Sequence, residues 1–86
     1  MPKISHFFGI MIFMHFRDHA PPHFHAQYGD FAGIIGLTPI GLIKGDLPPR
    51  VLGLVTEWAT LYSKELISAW EATSTGQIPQ KIPPLK

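Results

Sequence analysis

The chain has 86 residues, of which 45% are hydrophobic and only 15% are charged, and its formal net charge is +1. A chain of this length makes one small domain, and because it has no cysteine it can contain neither disulfides nor thiolate metal sites. Its seven basic residues are scattered among acidic ones, so no basic stripe indicates nucleic-acid binding.

The first predicted element is one long strand, because residues 7–16, FFGIMIFMHF, are rich in β-branched and aromatic side chains. In such a strand Met11, Phe13 and His15 fall on one face. The stretch is shorter than the roughly 20 apolar residues that cross a bilayer, and no small-residue cleavage site of a secretory signal follows it. We therefore expect a soluble cytoplasmic protein without a membrane partner.

Further strands are predicted after Pro21 and Pro22, which interrupt regular strand pairing because neither has a backbone N–H. Tight turns that contain glycine favour an antiparallel meander in this part of the chain. The predicted strands are residues 23–28, residues 31–37 and a short fourth one at residues 42–45, with turns at residues 29–30 and 38–41.

One long helix is predicted from Pro48 and Pro49 to a stop at Gly76, with Asp46 as its N-cap. Its apolar side chains recur every three or four residues, which predicts that one stripe of the helix lies on the sheet. The stripe consists of Val51, Leu54, Val55, Trp58, Tyr62, Leu66, Ala69 and Trp70.

The predicted architecture is a single α+β domain over residues 1–76. A three- or four-stranded antiparallel sheet carries one long C-terminal helix packed on one face. Residues 77–86 form a proline-rich tail, which is either a packed extended arm or a disordered end.

The most informative stretch is RDHAPPHFHAQYGD at residues 17–30, which contains three of the five histidines. His23 and His25 point to the same side of a strand, with Cα atoms about 6.5 to 7 Å apart, and His15 joins them if the first two strands pair. Imidazoles arranged in this way can bind a divalent metal ion that takes a third ligand. The ligands predicted for such an ion are His15, His23 and His25, with Asp18, His19 or Asp30 as alternative third ligands.

Two other interpretations of this stretch stay open. In the structural one, Asp18, His19 and His23 bond the backbone of the proline turn, and His25 joins a cross-strand pair. In the catalytic one, two imidazoles act as general base and general acid, which suffices to cleave RNA without a metal. Arg17 and Asp18 form either a loop salt bridge or a substrate clamp. The further candidate site residues are Arg17, Asp18, His19 and Tyr28.

Three blocks of the chain, MPKISHFFGI, DHAPPHFHAQYGD and LPPRVLGLVTEWA, resemble the small bacterial domain of unknown function 4160. The likeness covers residues 1 to about 72, and PPHFHA is its most specific part. The resemblance implies an α+β domain. Because such proteins are often encoded beside another very small protein, it also implies a role in a two-protein module of the toxin–antitoxin type.

The expected function is a small interaction or regulatory module, one half of such a two-protein system, that needs no cofactor. Its expected partners are a second small protein encoded nearby and, given the apolar excess, further copies of itself that cover the face of Met11, Phe13 and His15. The alternative is a histidine-based nuclease or metal-assisted hydrolase, the toxin side of such a pair.

Overall fold

Five strands form one antiparallel sheet in the computed structural model, which describes all of residues 1–86. Each strand pairs with its neighbours in the chain, in the order β1-β2-β3-β4-β5. The α+β class and the antiparallel sheet are confirmed, but the sheet has five strands rather than three or four. The strands are β1 (Lys3–Phe7), β2 (Ile10–Phe13), β3 (His23–Tyr28), β4 (Phe31–Leu37) and β5 (Ile40–Asp46).

The single long strand predicted over residues 7–16 is wrong, because the chain reverses at Phe8 and Gly9. Both residues have positive φ angles, 49° and 76°, which is the backbone conformation that a two-residue hairpin needs. Phe7 consequently pairs with Ile10 across the turn. Glycine adopts this conformation readily, whereas a bulky side chain such as that of Phe8 does so rarely. Of the two turn residues, only Gly9 is a type that usually marks such a hairpin in a sequence.

Strand register divides the sheet into two faces. Directly opposed residues share a face, and His25 lies opposite Phe13 on β2 and Ile34 on β4. We call this side the open face. The other side, the helix face, carries Ile12, Phe24 and Ile35, all fully buried. The open face consists of Met11, Phe13, His25, Gln27, Ile34 and Lys44.

Two helices, α1 (Pro49–Leu61) and α2 (Ser63–Ser74), replace the one predicted long helix. The break lies at Tyr62, whose φ and ψ of −113° and 30° leave the helical region. Just before it, the Thr60 hydroxyl donates a 2.8 Å hydrogen bond to the carbonyl of Thr56, a competing contact that bends helices. The apolar stripe continues on both sides of the break, so its periodicity does not reveal the interruption.

The predicted stop of the helical region is confirmed, but the predicted N-cap is wrong. Asp46 belongs to β5 and caps nothing, and Pro48 occupies the N-cap position without a side-chain hydrogen bond. At the other end, Gly76 has a φ of 80° and its N–H donates to the carbonyl of Thr73 at 3.0 Å. Together with a 2.8 Å bond from Gln77 N–H to the carbonyl of Ala72, this is a Schellman motif, and it confirms the predicted stop. Neither helix has the length and apolar composition required to cross a membrane.

Trp58 is the centre of the core. Its side chain is fully buried, with ring centroids 5.1 Å from Phe7 and 5.6 Å from Phe24. The indole Nε1–H donates a 2.8 Å hydrogen bond to the carbonyl of Pro83. Trp58 therefore joins the helix layer, the sheet and the C-terminal residues in one contact network, as the predicted stripe requires for its middle position.

Residues 77–86 form an extended arm that packs along the domain. Ile82 and Leu85 are buried, and the Ile82 N–H donates to the carbonyl of Ile4 on β1 at 2.8 Å. The arm therefore covers the β1 edge of the sheet.

We predict that Trp58→Ala lowers the free energy of unfolding by about 3 to 5 kcal/mol, because it removes a fully buried aromatic ring. Trp58→Phe is the matched control, since it keeps an aromatic ring but loses the hydrogen bond to Pro83, and we expect it to cost about 1 kcal/mol. Denaturant titration measures both values. An equal loss in the two variants would place the stabilisation in the hydrogen bond rather than in the ring.

Candidate functional site

The loop between β2 and β3 positions the candidate site. Its first half is fixed by Arg17, whose N–H donates to the carbonyl of Thr73 at the end of α2 at 2.9 Å. Its second half is fixed by Pro22, whose carbonyl accepts from Leu37 N–H at 3.0 Å. Arg17 has a positive φ of 54°, which reverses the chain and turns the next residue, Asp18, back toward β3.

Asp18 is the centre of a histidine cluster, which we define as His15, Asp18, His23 and His25. Its Oδ2 atom lies 2.9 Å from His23 Nε2, 3.5 Å from His25 Nε2 and 4.0 Å from His15 Nδ1. Its Oδ1 atom accepts a 2.8 Å hydrogen bond from the backbone N–H of His19. One carboxylate thus faces three imidazoles, and it is held by a loop N–H at the same time.

His23 is the buried member of the cluster. Its Nδ1 lies 2.7 Å from the carbonyl of Pro21, and its Nε2 faces the Asp18 carboxylate. Both partners are acceptors, so each ring nitrogen that carries a proton donates to the acceptor it faces. Trp70 of α2 packs against it, with ring centroids 5.0 Å apart. His23 therefore lies between the Pro21 carbonyl and α2, and from this buried position it orients Asp18.

His15 and His25 form the accessible part of the cluster. Their rings stack in parallel, with centroids 4.0 Å apart and an interplanar angle of 4°. The side chains are 42% and 25% exposed, whereas that of Asp18 is 20% exposed. His15 and His25 are therefore the two imidazoles of the cluster that a ligand from solvent can reach.

The cluster changes the acidity of two of its members. Burial, followed by the nearby charge of His15, lowers the pKa of His25 below its ordinary value of 6.5, although hydrogen bonding to Asp18 opposes the shift. Burial raises the pKa of Asp18, but hydrogen bonds from His19, His23 and His25 outweigh it, so this pKa lies below 3.8. At neutral pH the site therefore contains a carboxylate beside a neutral His25.

A pocket of about 310 Å³ on the open face adjoins the cluster through His25. Phe13 and Ile34 supply apolar walls, Met1 also lines the pocket, and Lys44 is the only lysine or arginine in its lining. An accessible imidazole, a carboxylate and a small apolar pocket therefore lie side by side. This arrangement can bind a cation at the carboxylate end and an apolar group at the pocket end.

The remaining candidate residues lie elsewhere. The Arg17 guanidinium lies against Gly76, where a β carbon would collide with it, and it forms no ion pair with Asp18. His19 contributes its backbone N–H, while the residue itself is exposed. Tyr28 lies at the far end of β3, with its ring beside Gly9, and Asp30 follows it in the exposed turn.

Sequence reasoning did not identify Trp70 as a neighbour of the cluster. Trp70 belongs to the apolar helix stripe, and nothing in that periodicity distinguishes a contact with histidine from an ordinary core contact. The assembly of His15, His23 and His25, in contrast, follows from strand alternation together with the pairing of β2 and β3.

Comparison with known proteins gives one match. The model of a protein family described as a domain of unknown function (DUF4160) matches residues 9–71, which is more than half of the chain. No curated protein and no solved structure matches the chain. The matched range includes the complete histidine cluster and most of the two helices.

We predict that the folded protein loses stability as pH falls below about 6.5, and that His25→Gln reduces this loss. The folded pKa of His25 is lowered, so the native state binds fewer protons than the unfolded state near pH 6. The stability from neutral His25 is therefore present above the unfolded pKa of 6.5 and declines as pH falls toward the folded pKa. Melting temperatures from pH 7.5 to 5.5, with chelator throughout, measure it.

His6→Gln is the control for this pH series, because His6 is exposed on β1 outside the cluster. It should lose as much stability on acidification as the wild type does. An equal loss in His25→Gln and in the wild type would contradict the lowered pKa of His25. The lowered pKa of Asp18 acts in a separate window, below about pH 3.8, which this series does not reach.

Proposed function

The chain belongs to the DUF4160 family, and we propose that it is a protein-interaction module that binds an extended segment of a second small protein along β5. One observation carries the proposal: β5 is the open edge of the sheet. An edge strand presents unpaired N–H and C=O groups, which form a template for another strand. Strand addition of this kind is a common mode of peptide recognition.

The two edges of the sheet differ in their cover. The β1 edge receives the hydrogen bond from Ile82 of the C-terminal arm. On the other side, β5 pairs only with β4, and no backbone hydrogen bond outside the helices and strands involves residues 40–46. The chain therefore protects one edge with its own extended segment and leaves the equivalent position on the other edge unpaired.

The side chains of β5 specify the chemistry of the partner segment. Leu42 and Ile43 are 40% and 54% exposed, although both are large and apolar. Lys44 follows them on the open face, and it makes no ion pair within the chain. We infer that the bound segment places apolar side chains against Leu42 and Ile43 and an acidic side chain near Lys44.

The proposed partner is the second small protein of a toxin–antitoxin-like pair, encoded beside this chain. The family resemblance supports this assignment by association, and the open edge supports it physically. Binding through backbone hydrogen bonds and apolar contacts needs no cofactor, so an interaction module of this kind acts without chemistry of its own.

A histidine-based nuclease or metal-assisted hydrolase is the second candidate function. The observation that favours it is the cluster beside the open-face pocket, where His25 is neutral and accessible and His15 stacks on it. The weaker point is substrate binding, because Lys44 is the only lysine or arginine that lines the pocket. A phosphodiester substrate requires more positive charge at such a site.

We predict that Ile43→Lys weakens the binding of the adjacent small protein by about 10-fold or more, because a charge on an edge strand opposes strand addition. Leu61→Lys is the matched control, since Leu61 is 64% exposed on α1, away from β5, and its replacement should leave the affinity unchanged. Isothermal titration calorimetry of each variant with the adjacent small protein measures both affinities. Amide hydrogen exchange should show new protection at residues 40–46 in the complex.

Three outcomes would contradict this proposal. The first is equal affinity in Ile43→Lys and in the wild type, and the second is no binding by the adjacent protein. The third is a wild-type homodimer, seen by sedimentation, that Ile43→Lys dissociates, since that result assigns the edge to a second copy. A homodimer that survives the substitution fits the expected self-association through Met11, Phe13 and His15 and leaves β5 to the partner.

A further inference from the structure

Three potential metal ligands converge at the accessible end of the histidine cluster. One ligand atom each from His15, Asp18 and His25 lies within 4.8 Å of the other two. We propose that these three residues bind one divalent first-row transition-metal ion of the zinc class. The inference concerns the cluster alone and does not depend on a partner at β5.

The distances in the cluster suit this class of ion. Tetrahedral zinc with bonds of about 2.0 to 2.1 Å separates its ligand atoms by about 3.3 to 3.4 Å. Asp18 Oδ2 lies 3.5 Å from His25 Nε2 and 4.0 Å from His15 Nδ1, so both contacts are slightly wider than a bound ion requires. Binding therefore requires the side chains to move closer together.

The identity of the donors narrows the choice of ion. Two imidazole nitrogens and one carboxylate oxygen favour zinc, iron, nickel or copper. Calcium and magnesium prefer sets made wholly of oxygen, and the cluster supplies one carboxylate. Three protein ligands also leave a coordination position for water or another small ligand, as in catalytic rather than structural zinc sites.

The surroundings of Asp18 resemble the support that metal ligands receive in proteins. A ligating carboxylate is commonly held by further hydrogen bonds that fix its orientation. Here the His19 N–H donates to Oδ1, and His23 donates to Oδ2 from a ring anchored on the Pro21 carbonyl. Asp18 is thus positioned from two directions, while its remaining lone pairs face His15 and His25.

Metal binding requires the accessible rings of His15 and His25 to change their orientation. His15 and His25 are partly exposed, so an ion reaches them from solvent. Their parallel stack directs the two lone pairs side by side rather than to one point, because imidazole lone pairs lie in the ring plane. The rings must therefore tilt toward each other on binding. This change alters the His25 wall of the 310 Å³ pocket, so metal binding and pocket shape are coupled.

Calorimetric titration of the chelator-treated full chain with Zn²⁺ at pH 7.5 tests the proposal. We expect one ion per chain. His15→Gln and His25→Gln should each weaken binding by about 10-fold or more, the size of effect that changes around metal ligands produce. His6→Gln is the matched control, and it should leave the affinity unchanged because His6 lies outside the cluster.

A second measurement separates ligand loss from misfolding. Co²⁺ serves as a spectroscopic probe, because its visible absorption reports the number and the type of ligands. The spectrum should change in His15→Gln, whose exposed position favours normal folding, while the melting temperature in chelator stays close to that of the wild type. His23→Gln should keep the ligand set but weaken binding, because it releases Asp18.

The proposal fails if Zn²⁺ binds more weakly than about 100 μM. It also fails if His6→Gln weakens binding as much as His25→Gln does, because the ion would then occupy scattered surface histidines. An unchanged Co²⁺ spectrum in His15→Gln would remove that residue from the site and overturn the three-ligand assignment.

Discussion

The organisation of this protein depends on one geometric constraint: a single layer of helices covers only one face of a five-stranded sheet. The buried stripe of α1 and α2 packs on the helix face, where Trp58 fits between Phe7 and Phe24. The opposite face and the β5 edge then have no cover from the chain. The open-face pocket and the partly exposed His15 and His25 follow from that asymmetry, and the free β5 edge adds a further surface for contact.

The histidine cluster shows how one carboxylate organises several imidazoles. Asp18 accepts from the buried His23, and this contact secures the loop against β3. The same oxygen attracts His25, but desolvation and the neighbouring His15 keep that ring neutral. Within a few ångströms, the cluster therefore combines a buried ring that faces acceptors at both nitrogens with two rings that are partly exposed. The structural interpretation of the histidine stretch thus fits His23, whereas the proposed metal site uses His15 and His25.

Much of this arrangement can be predicted from the sequence, and the exceptions have physical causes. Alternation along HFHAQY correctly separates Phe24 from His23 and His25, and Gly76 correctly marks the end of the helical region. The hairpin at residues 8–9 escapes prediction because Phe8 adopts a backbone conformation that its side chain disfavours. The central position of Asp18 escapes it too, because it depends on the reversal at Arg17 and on a bond to Thr73, far away in the chain.

The C-terminal arm also affects which edges of the sheet are free. Its hydrogen bond with Ile4 joins residues from opposite ends of the chain, so it closes a very long loop and adds little local structure in return. Contacts between residues far apart in the chain are entropically costly to form, and chain termini are among the segments whose local opening costs least free energy. When the arm detaches, β1 becomes a second free edge, and the sheet can then be extended from both sides. In the proposed binding mode, the docked arm would therefore restrict strand addition to β5 and favour discrete complexes over open-ended stacks of sheets.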